Sequence, residues 1–191
     1  GVHDIVLDPR NNDVIYISTY QRRRHFWTMI DGGPEGSIQK STDAGTTWNK
    51  LSSGLPGGDL GKIGLAISPI NPDVLYALIE AQGDGGGIFR SMDRGATWEK
   101  RNSQIDVPMY YGKIFCDPTN VDRIVASGTI MYYSDDAGKT LKRIGEKSVH
   151  VDYHAIWIDP KDPDYMLLGT DGGLYESHDK NKTWRFINNL P

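Results

Sequence analysis

The sequence has little cysteine, no long apolar run and no excess of positive charge. Its single cysteine, Cys116, excludes an intrachain disulfide. No apolar stretch approaches the roughly 20 residues that a membrane-spanning helix requires. The 21 lysines and arginines are outnumbered by 25 aspartates and glutamates, and the net charge of −4 argues against a general nucleic-acid binder. No charged-then-apolar leader opens the chain, so we expect a segment of a longer protein or a trimmed form.

The sequence is instead rich in glycine and proline, and it contains an internal repeat. The 22 glycines and 10 prolines divide the chain into short segments. Four of these segments align on the pattern Ser-x-Asp-x-Gly-x-Thr-Trp, at residues 41–48, 91–98, 134–141 and 177–184. Their central aspartates lie 50, 43 and 43 residues apart, which is the length of a four-stranded propeller blade.

A second marker, a proline after Asp or Ser, precedes each repeat at Pro9, Pro69, Pro118 and Pro160. Short apolar runs bounded by Gly, Pro, Asn and Asp flank it, which favours strands over helices. Each repeat then contains strands A and B, a loop, strand C, the repeated turn and strand D. We predict an all-β fold, a β-propeller segment of four consecutive four-stranded blades within a ring of about six to eight. The predicted blades cover residues 1–56, with an insertion at 19–36, then 57–105, 106–147 and 148–191.

The eight-residue repeat resembles the Asp-box, or BNR repeat, of sialidases, sortilin-type receptors and two-propeller xyloglucan-active glycosidases. The runs Asp152–Ala155 and Asp171–Tyr175 are most similar to the sortilin-like and xyloglucanase-like branch. This resemblance implies a glycosyl-hydrolase-like bacterial protein that is secreted or held in the cell envelope. The chain is less similar to sialidases, because their Arg-Ile-Pro motif is absent and Arg22–Arg24 are consecutive instead of lying on different blades.

The repeated aspartates are interpreted as structural. Asp and Ser side chains at a strand end can hydrogen-bond nearby backbone groups and so close a hairpin. The glycine supplies a positive φ, with Asn181 in its place in the fourth turn. The tryptophan is expected to pack between neighbouring sheets, with Leu141 in its place in the third repeat. These structural residues are Ser41, Asp43, Gly45, Trp48, Ser91, Asp93, Gly95, Trp98, Ser134, Asp136, Gly138, Ser177, Asp179 and Trp184.

The loops at one end of the predicted propeller differ in length. Because the repeated turns join strands C and D, the B–C and D–A connections lie at the opposite end, and ligands usually meet the longer loops. From marker proline to repeat serine the chain runs 32 residues in blade one, but 22, 16 and 17 in the others.

The blade-one insertion interleaves cations with aromatic rings, which suits sugar stacking, anion binding or a protein hot spot. A solvated loop is the alternative. The candidate binding residues are Arg22, Arg23, Arg24, His25 and Trp27, with Tyr110 and Tyr111, beside Met109, from the connection between blades two and three.

His150, Asp152 and His154 alternate along one short segment. In an extended chain alternate side chains share a face, so these three could hold a divalent metal or orient an imidazole beside a carboxylate. His154 and His3 each lie six residues before a marker proline, so we expect them to occupy equivalent positions. The alternative is that each ties down its own loop. His3, His150 and His154 are binding candidates, and Asp152, His154 and Asp4 are catalytic candidates.

We predict a recognition segment of a larger exported bacterial protein, which binds a protein or glycan partner at the end opposite the repeated turns. The alternative is a carbohydrate-active enzyme, a glycoside hydrolase of xyloglucanase-like type, which needs two convergent carboxylates. No cofactor is expected. Further blades of the same protein, or a second chain, are expected to cover the two outer faces of the four-blade arc.

Overall fold

The computed structural model describes residues 1–105, 110–145 and 148–188, which form four antiparallel sheets of four strands each. Blade one contains β1 (Val2–Asp8), β2 (Asn11–Thr19), β5 (Ser37–Ser41) and β6 (Asn49–Leu51). An inserted hairpin, β3 (Arg22–His25) and β4 (Thr28–Asp31), lies between β2 and β5. No helix in these ranges has the length and apolar character that crossing a membrane requires.

The other three blades follow in chain order. Blade two contains β7 (Leu60–Ile67), β8 (Leu75–Ala81), β9 (Gly87–Ser91) and β10 (Glu99–Asn102), with one 3-10 turn at Gly83–Gly85. Blade three contains β11 (Lys113–Cys116), β12 (Ile124–Ser127), β13 (Met131–Ser134) and β14 (Lys142–Arg143). Blade four contains β15 (Tyr153–Ile158), β16 (Met166–Thr170), β17 (Gly173–Ser177) and β18 (Arg185–Ile187). The predicted fold class, a β-propeller segment of four consecutive blades, is confirmed.

The first strand of each blade is the innermost. Strands β1, β7, β11 and β15 are neighbours in that order, and residues from all four line a cavity of about 390 Å³. The amino-terminal ends of all four strands therefore lie at the same end of this cavity, which we call the channel mouth.

Apolar side chains from facing sheets hold the blades together. Both faces of β8 are covered, so Leu75–Ile79 is buried without the alternation of a half-exposed strand. Successive side chains of this run pack alternately against blade one and blade three. A third core joins blades three and four around Met131, Tyr153 and Leu168. The sheets therefore share one layer of side chains at each of the three interfaces.

The repeated tryptophans behave differently in different blades. Trp98 packs in the core between blades one and two with 5% of its surface exposed, and Trp184 packs between blades three and four with 9% exposed. Trp48 is 36% exposed. The expectation that Trp48 packs between two sheets is wrong within the described residues, because each such tryptophan faces the blade before its own. In blade one that face meets no other sheet.

The four repeated turns share one hydrogen-bond pattern. In the second turn, Ser91 donates its hydroxyl to Asp93 and accepts the N–H of Gly95. The carboxylate of Asp93 then accepts both the N–H and the hydroxyl of Thr97, at 2.8 and 2.6 Å. The positive φ spans two residues, here Arg94 and Gly95, whereas the sequence pattern indicated only the second. The same bonds recur in the turns that begin at Ser41, Ser134 and Ser177.

Each repeated turn is also tied to the A–B turn of its own blade. The N–H groups of the first positive-φ residues donate to A–B carbonyl oxygens in four equivalent bonds. These bonds are Ala44 to Asp13, Arg94 to Asp73, Ala137 to Asp122 and Lys180 to Asp164. Both kinds of turn therefore lie at one end of the propeller, which we call the turn end. The B–C and D–A connections lie at the other end, which we call the loop end.

The two tryptophans Trp48 and Trp98 form a matched pair for a stability measurement. Each donates its indole N–H to the glycine carbonyl of its own turn, at 3.0 and 3.1 Å, so only their packing differs. We expect Trp98→Ala to lower the free energy of unfolding by about 3–5 kcal/mol, and Trp48→Ala by about 1 kcal/mol or less. Urea unfolding followed by circular dichroism measures both. Equal losses would contradict the assignment of Trp48 to a face that no sheet covers.

The turn carboxylates predict an acid sensitivity. Hydrogen bonds from the threonine four residues on lower the pKa of Asp43, Asp136 and Asp179 to about 2, and lower that of Asp93 as well. A carboxyl whose pKa is lower in the folded chain contributes stability above its unfolded pKa of about 3.9 and loses it as the pH falls through the folded value.

We therefore expect the urea midpoint to hold down to about pH 4 and to fall between about pH 4 and pH 2. Asp179→Asn should be less stable at neutral pH and should lose less on acidification. Asp59→Asn, outside the turns, is the control that should follow the unmodified chain. If all three profiles coincide, the turns do not account for the acid sensitivity.

Candidate functional site

The blade-one insertion is a hairpin, whereas the sequence analysis treated it as a loop. Strands β3 and β4 pair from Arg22 with Asp31 to His25 with Thr28, and Phe26 and Trp27 form the turn. Phe26 is 96% exposed and Trp27 is 68% exposed. Their rings meet edge to face at 4.4 Å. The hairpin therefore presents an aromatic tip to solvent.

Backbone bonds fix the base of this hairpin to blade two. Gly33 and Leu60 exchange N–H to carbonyl hydrogen bonds at 3.0 and 3.3 Å, next to the start of β7. Gly32 donates to the carbonyl of Gln21 at 2.8 Å. A Cβ on Gly32 would lie 2.8 Å from the Leu60 carbonyl oxygen, and its φ is +106°, so this close approach requires glycine. The insertion is thus anchored at the loop end.

Arg22 and Arg24 reach from the hairpin to the connection between blades two and three. Arg24 donates to the hydroxyl of Tyr110 at 2.6 Å, and the guanidinium of Arg22 lies 5.8 Å from the centre of the same ring. Because alternate side chains of a strand point to opposite sides, Arg23 faces the other way. Two of the three predicted arginines therefore meet the predicted Tyr110. Met109 lies outside the described residues.

A second group forms where blades three and four meet. Tyr111 donates its hydroxyl to Asp152, and its ring centre lies 5.7 Å from that of His154. His154 Nε2 is 2.6 Å from an oxygen of Asp171. Asp171 also donates its N–H to the carbonyl of Asp152 at 3.2 Å. The hydrogen bond that Tyr111 donates to Asp152 raises the pKa of the Tyr111 hydroxyl to about 12.

The expectation that residues 150–154 are extended with three aligned side chains is wrong. Asp152 has a φ of +66°, and β15 begins only at Tyr153. The ring of His150 turns back to the Val151 carbonyl oxygen at 2.8 Å, away from Asp152 and His154. Within 1–105, 110–145 and 148–188, no three His, Cys, Asp or Glu side chains are grouped to hold a metal ion.

Asp171 belongs to this second group although the sequence analysis did not select it. It precedes Gly172 and Gly173 in the tight B–C turn between β16 and β17, where Thr170 pairs with Gly173. An aspartate in a short B–C connection at the loop end is the signal that would have identified it.

His3 and His154 are equivalent in the backbone but not in their surroundings. Each is the extra residue of a β-bulge at the start of an innermost strand, β1 or β15. His3 is partly buried, and burial is the first cause of its lowered pKa. Its ring meets that of Tyr20 edge-on at 6.1 Å. The side chain of His154 is 50% exposed. Both imidazoles therefore extend from bulges at the loop end. Of the two, only His154 is paired with a carboxylate there.

Asp4 is held by backbone groups. Its carboxylate accepts the N–H of Leu65 at 3.0 Å and that of Ile5 at 3.1 Å. Its own N–H donates to the hydroxyl of Ser18. These bonds connect β1 to β7. Both carboxylate oxygens of Asp4 already accept backbone hydrogen bonds, which makes a catalytic role for Asp4 less favourable.

The four four-stranded sheets, with their first strands next to one another, define the chain as a β-propeller segment. Aromatic and charged side chains are grouped at its loop end. No family model matches it. It is 25% identical over 217 residues to the xyloglucanase Xgh74A of Acetivibrio thermocellus, covering 97% of this chain and 25% of that enzyme. It is 27% identical over 232 residues to a xyloglucanase of Paenibacillus sp, covering 100% of this chain and 21% of that enzyme. The chain therefore spans about a quarter of the length of these curated relatives.

Solved structures share the fold at lower identity. An ancestral GH74 enzyme superposes with a TM-score of 0.71 at 16% identity, covering all of this chain and 24% of that one. The GH74 xyloglucanase from Xanthomonas campestris gives 0.53 at 19% identity, with coverages of 99% and 38%. YCF48 bound to D1 peptide gives 0.56 at 11% identity, with coverages of 99% and 82%. These likenesses support the β-propeller fold and nothing finer.

Proposed function

We propose that this chain is the recognition segment of a carbohydrate-active propeller protein and that it binds a saccharide at the loop end. The observation that carries the proposal is the grouping of aromatic rings with hydrogen-bonding charged groups from blade one, blade four and the connection between blades two and three. Tyr110 lies beside Arg22 and Arg24, and Tyr111 lies beside His154. Sugar rings stack their C–H faces on aromatic rings, while polar side chains bond their hydroxyls. The curated relatives are xyloglucanases, so a neutral polysaccharide is the substrate class to test first.

We interpret the repeated turns as Asp-boxes whose role is structural. The Ser, Asp and Thr side chains of each turn bond within that turn, as in Ser91, Asp93 and Thr97. Their position at the turn end keeps them away from the proposed ligand. The sortilin-like resemblance is a proposal of the same kind, and it rests on the sequence pattern.

Glycoside hydrolysis is the second candidate function, and one contact favours it. Asp152 and Asp171 are joined by a backbone hydrogen bond, and both carboxylates approach the ring pair of Tyr111 and His154. Most glycoside hydrolases use two carboxylates on either side of the scissile bond. Asp152 and Asp171 are therefore the pair that would act. Asp4 is a poorer candidate because backbone N–H groups occupy its oxygens.

We propose that further blades of the same protein cover the two outer faces. Blade one exposes Ile5, Leu7 and Trp48, and blade four exposes Trp157. Large exposed apolar patches mark interaction surfaces. A same-chain partner is favoured because the curated relatives are about four times as long as the region matched here. In such a longer protein Trp48→Ala would cost as much stability as Trp98→Ala.

We also propose that the protein acts outside the cell, as a secreted or envelope-bound bacterial protein. A polysaccharide is met there, and both curated relatives with this substrate class in their names are bacterial.

Saccharide binding at the loop end predicts unequal effects of two neighbouring arginines. Tyr110→Ala and Arg24→Ala should each weaken binding of xyloglucan oligosaccharides about tenfold, which is about 1.4 kcal/mol. Tyr110→Ala removes the aromatic ring on which a sugar would stack, and Arg24→Ala removes the hydrogen bond that holds this ring in place. Arg23→Ala, on the opposite side of β3, should leave the dissociation constant unchanged. Isothermal titration calorimetry measures all three. Equal losses for Arg23 and Arg24, or no binding by the unmodified protein, would contradict the proposal.

Hydrolysis predicts loss of activity on removal of either carboxylate. In the protein that contains this segment, Asp171→Asn and Asp152→Asn should lower the release of reducing ends from xyloglucan at least about 100-fold. Asp13→Asn, at the turn end, is the matched control. Binding without cleavage in the unmodified protein would leave recognition as the function and exclude this second candidate.

A further inference from the structure

The innermost strands of the first three blades each carry a basic side chain at the loop end. His3 lies in the bulge of β1, Lys62 in the bulge of β7, and Lys113 at the first position of β11. These strands are neighbours, and β7 and β11 approach so closely that a Cβ on Gly64 would lie 2.3 Å from the Gly112 carbonyl oxygen. Backbone geometry therefore brings three basic groups to one mouth of the channel.

Lys62 is unusual because it is almost fully buried. Only 7% of the residue is exposed. Its N–H donates to Glu80 at 2.9 Å, but its ammonium group has no hydrogen-bond or ion-pair partner within the described ranges. Because its Nζ atom is not itself fully buried, the apolar stem of Lys62 is covered while the ammonium group reaches solvent at the loop end.

The imidazole of His3 is a second unpaired group at the same mouth. Its Nε2 atom is buried and finds no hydrogen-bond partner among the residues that the structure describes. Buried polar atoms are normally bonded, so this atom needs a ligand or a water molecule. It is independent of Lys62, because it lies on a different blade.

The surrounding charges repel these cations more than they attract them. Burial is the first cause of the lowered pKa of Lys62, followed by repulsion from Lys113 and Arg22, which exceeds the attraction of Glu80 and Asp31. Lys62 and Lys113 also lower the pKa of His3.

The nearby carboxylates already have donors of their own. Asp4 accepts the N–H groups of Leu65 and Ile5, and Asp31 accepts the hydroxyl of Tyr20. Glu80 accepts the backbone N–H of Lys62, and no carboxylate of the described residues pairs directly with the Lys62 ammonium group.

We infer that Lys62, Lys113, Arg22 and His3 form a binding site for the carboxylate of an acidic sugar. A carboxylate would give the ammonium group of Lys62 a partner and would accept a hydrogen bond from the imidazole. Arg22 also lies 5.8 Å from the centre of the Tyr110 ring, so a sugar ring and its carboxylate can be held together. This inference rests on the proposed saccharide function and adds a ligand class, uronic acids, to it.

The experiment compares oligogalacturonic acid with its methyl ester, which removes the charge and keeps the sugar. Calorimetry should show the acid binding at least tenfold more tightly than the ester, and Lys62→Met should remove this difference. Lys139→Met, at the turn end, should leave it intact. Equal binding of acid and ester by the unmodified protein, or no binding of either, would overturn the inference.

A second measurement needs no ligand. Lys62→Met replaces an unpaired ammonium group, which Lys113 and Arg22 repel, with an apolar chain of similar length, so its thermal midpoint should lie above that of the unmodified protein. A lower midpoint would mean that the protein itself stabilises the charge, and would contradict the site. The neutral xyloglucan titration stays separate: its failure alone would reject the proposed neutral ligand, whereas loss of the acid–ester difference alone would reject the carboxylate site.

Discussion

Each sheet of this chain has two apolar faces, and the fold depends on covering both. Blade two meets this condition, and five consecutive residues of β8 are buried as a result. Blades one and four meet it on one side only, which leaves Trp48 and Trp157 exposed. The same requirement fixes the direction of packing, because Trp98 and Trp184 each contact the blade before their own. The blades therefore form an ordered series in which every interface is built in the same way.

This packing leaves the two ends of the propeller under different constraints. At the turn end each A–B carbonyl oxygen accepts a bond from a repeated turn, so both turns must keep their geometry. At the loop end the connections carry no such repeated bond, and they differ in length and in chemistry. Blade one inserts a hairpin there, while blade four has a tight turn with Asp171. The differences between blades that a ligand could recognise therefore lie at the loop end.

The sequence predicted the structural elements that repeat in every blade, and it missed the features that occur in one blade only. Four copies of a pattern predicted the blades, and the structure confirmed them, because hydrogen bonds within each turn depend on local residues alone. The hairpin at Arg22–His25 was not predicted, since its pairing has no second copy for comparison. The alignment of His150 with His154 was wrong because the positive φ of Asp152 reverses the direction of the side chains. Trp48 was expected in a core because its packing depends on a sheet that the repeat cannot supply.

Net charge also concealed the character of the loop end. The chain is acidic overall, with a charge of −4, yet Lys62 is buried among other cations at the channel mouth. Net charge is a sum over the whole chain, whereas the electrostatic potential at one point depends on the charges near it and on which of them already have partners. The carboxylates of Asp4 and Asp31 accept bonds from backbone or tyrosine donors, so they do not neutralise the ammonium group by direct contact. The bulge that places Lys62 there arises from the register of β7 against β8. The positive site is thus a product of strand geometry, and only the folded chain reveals it.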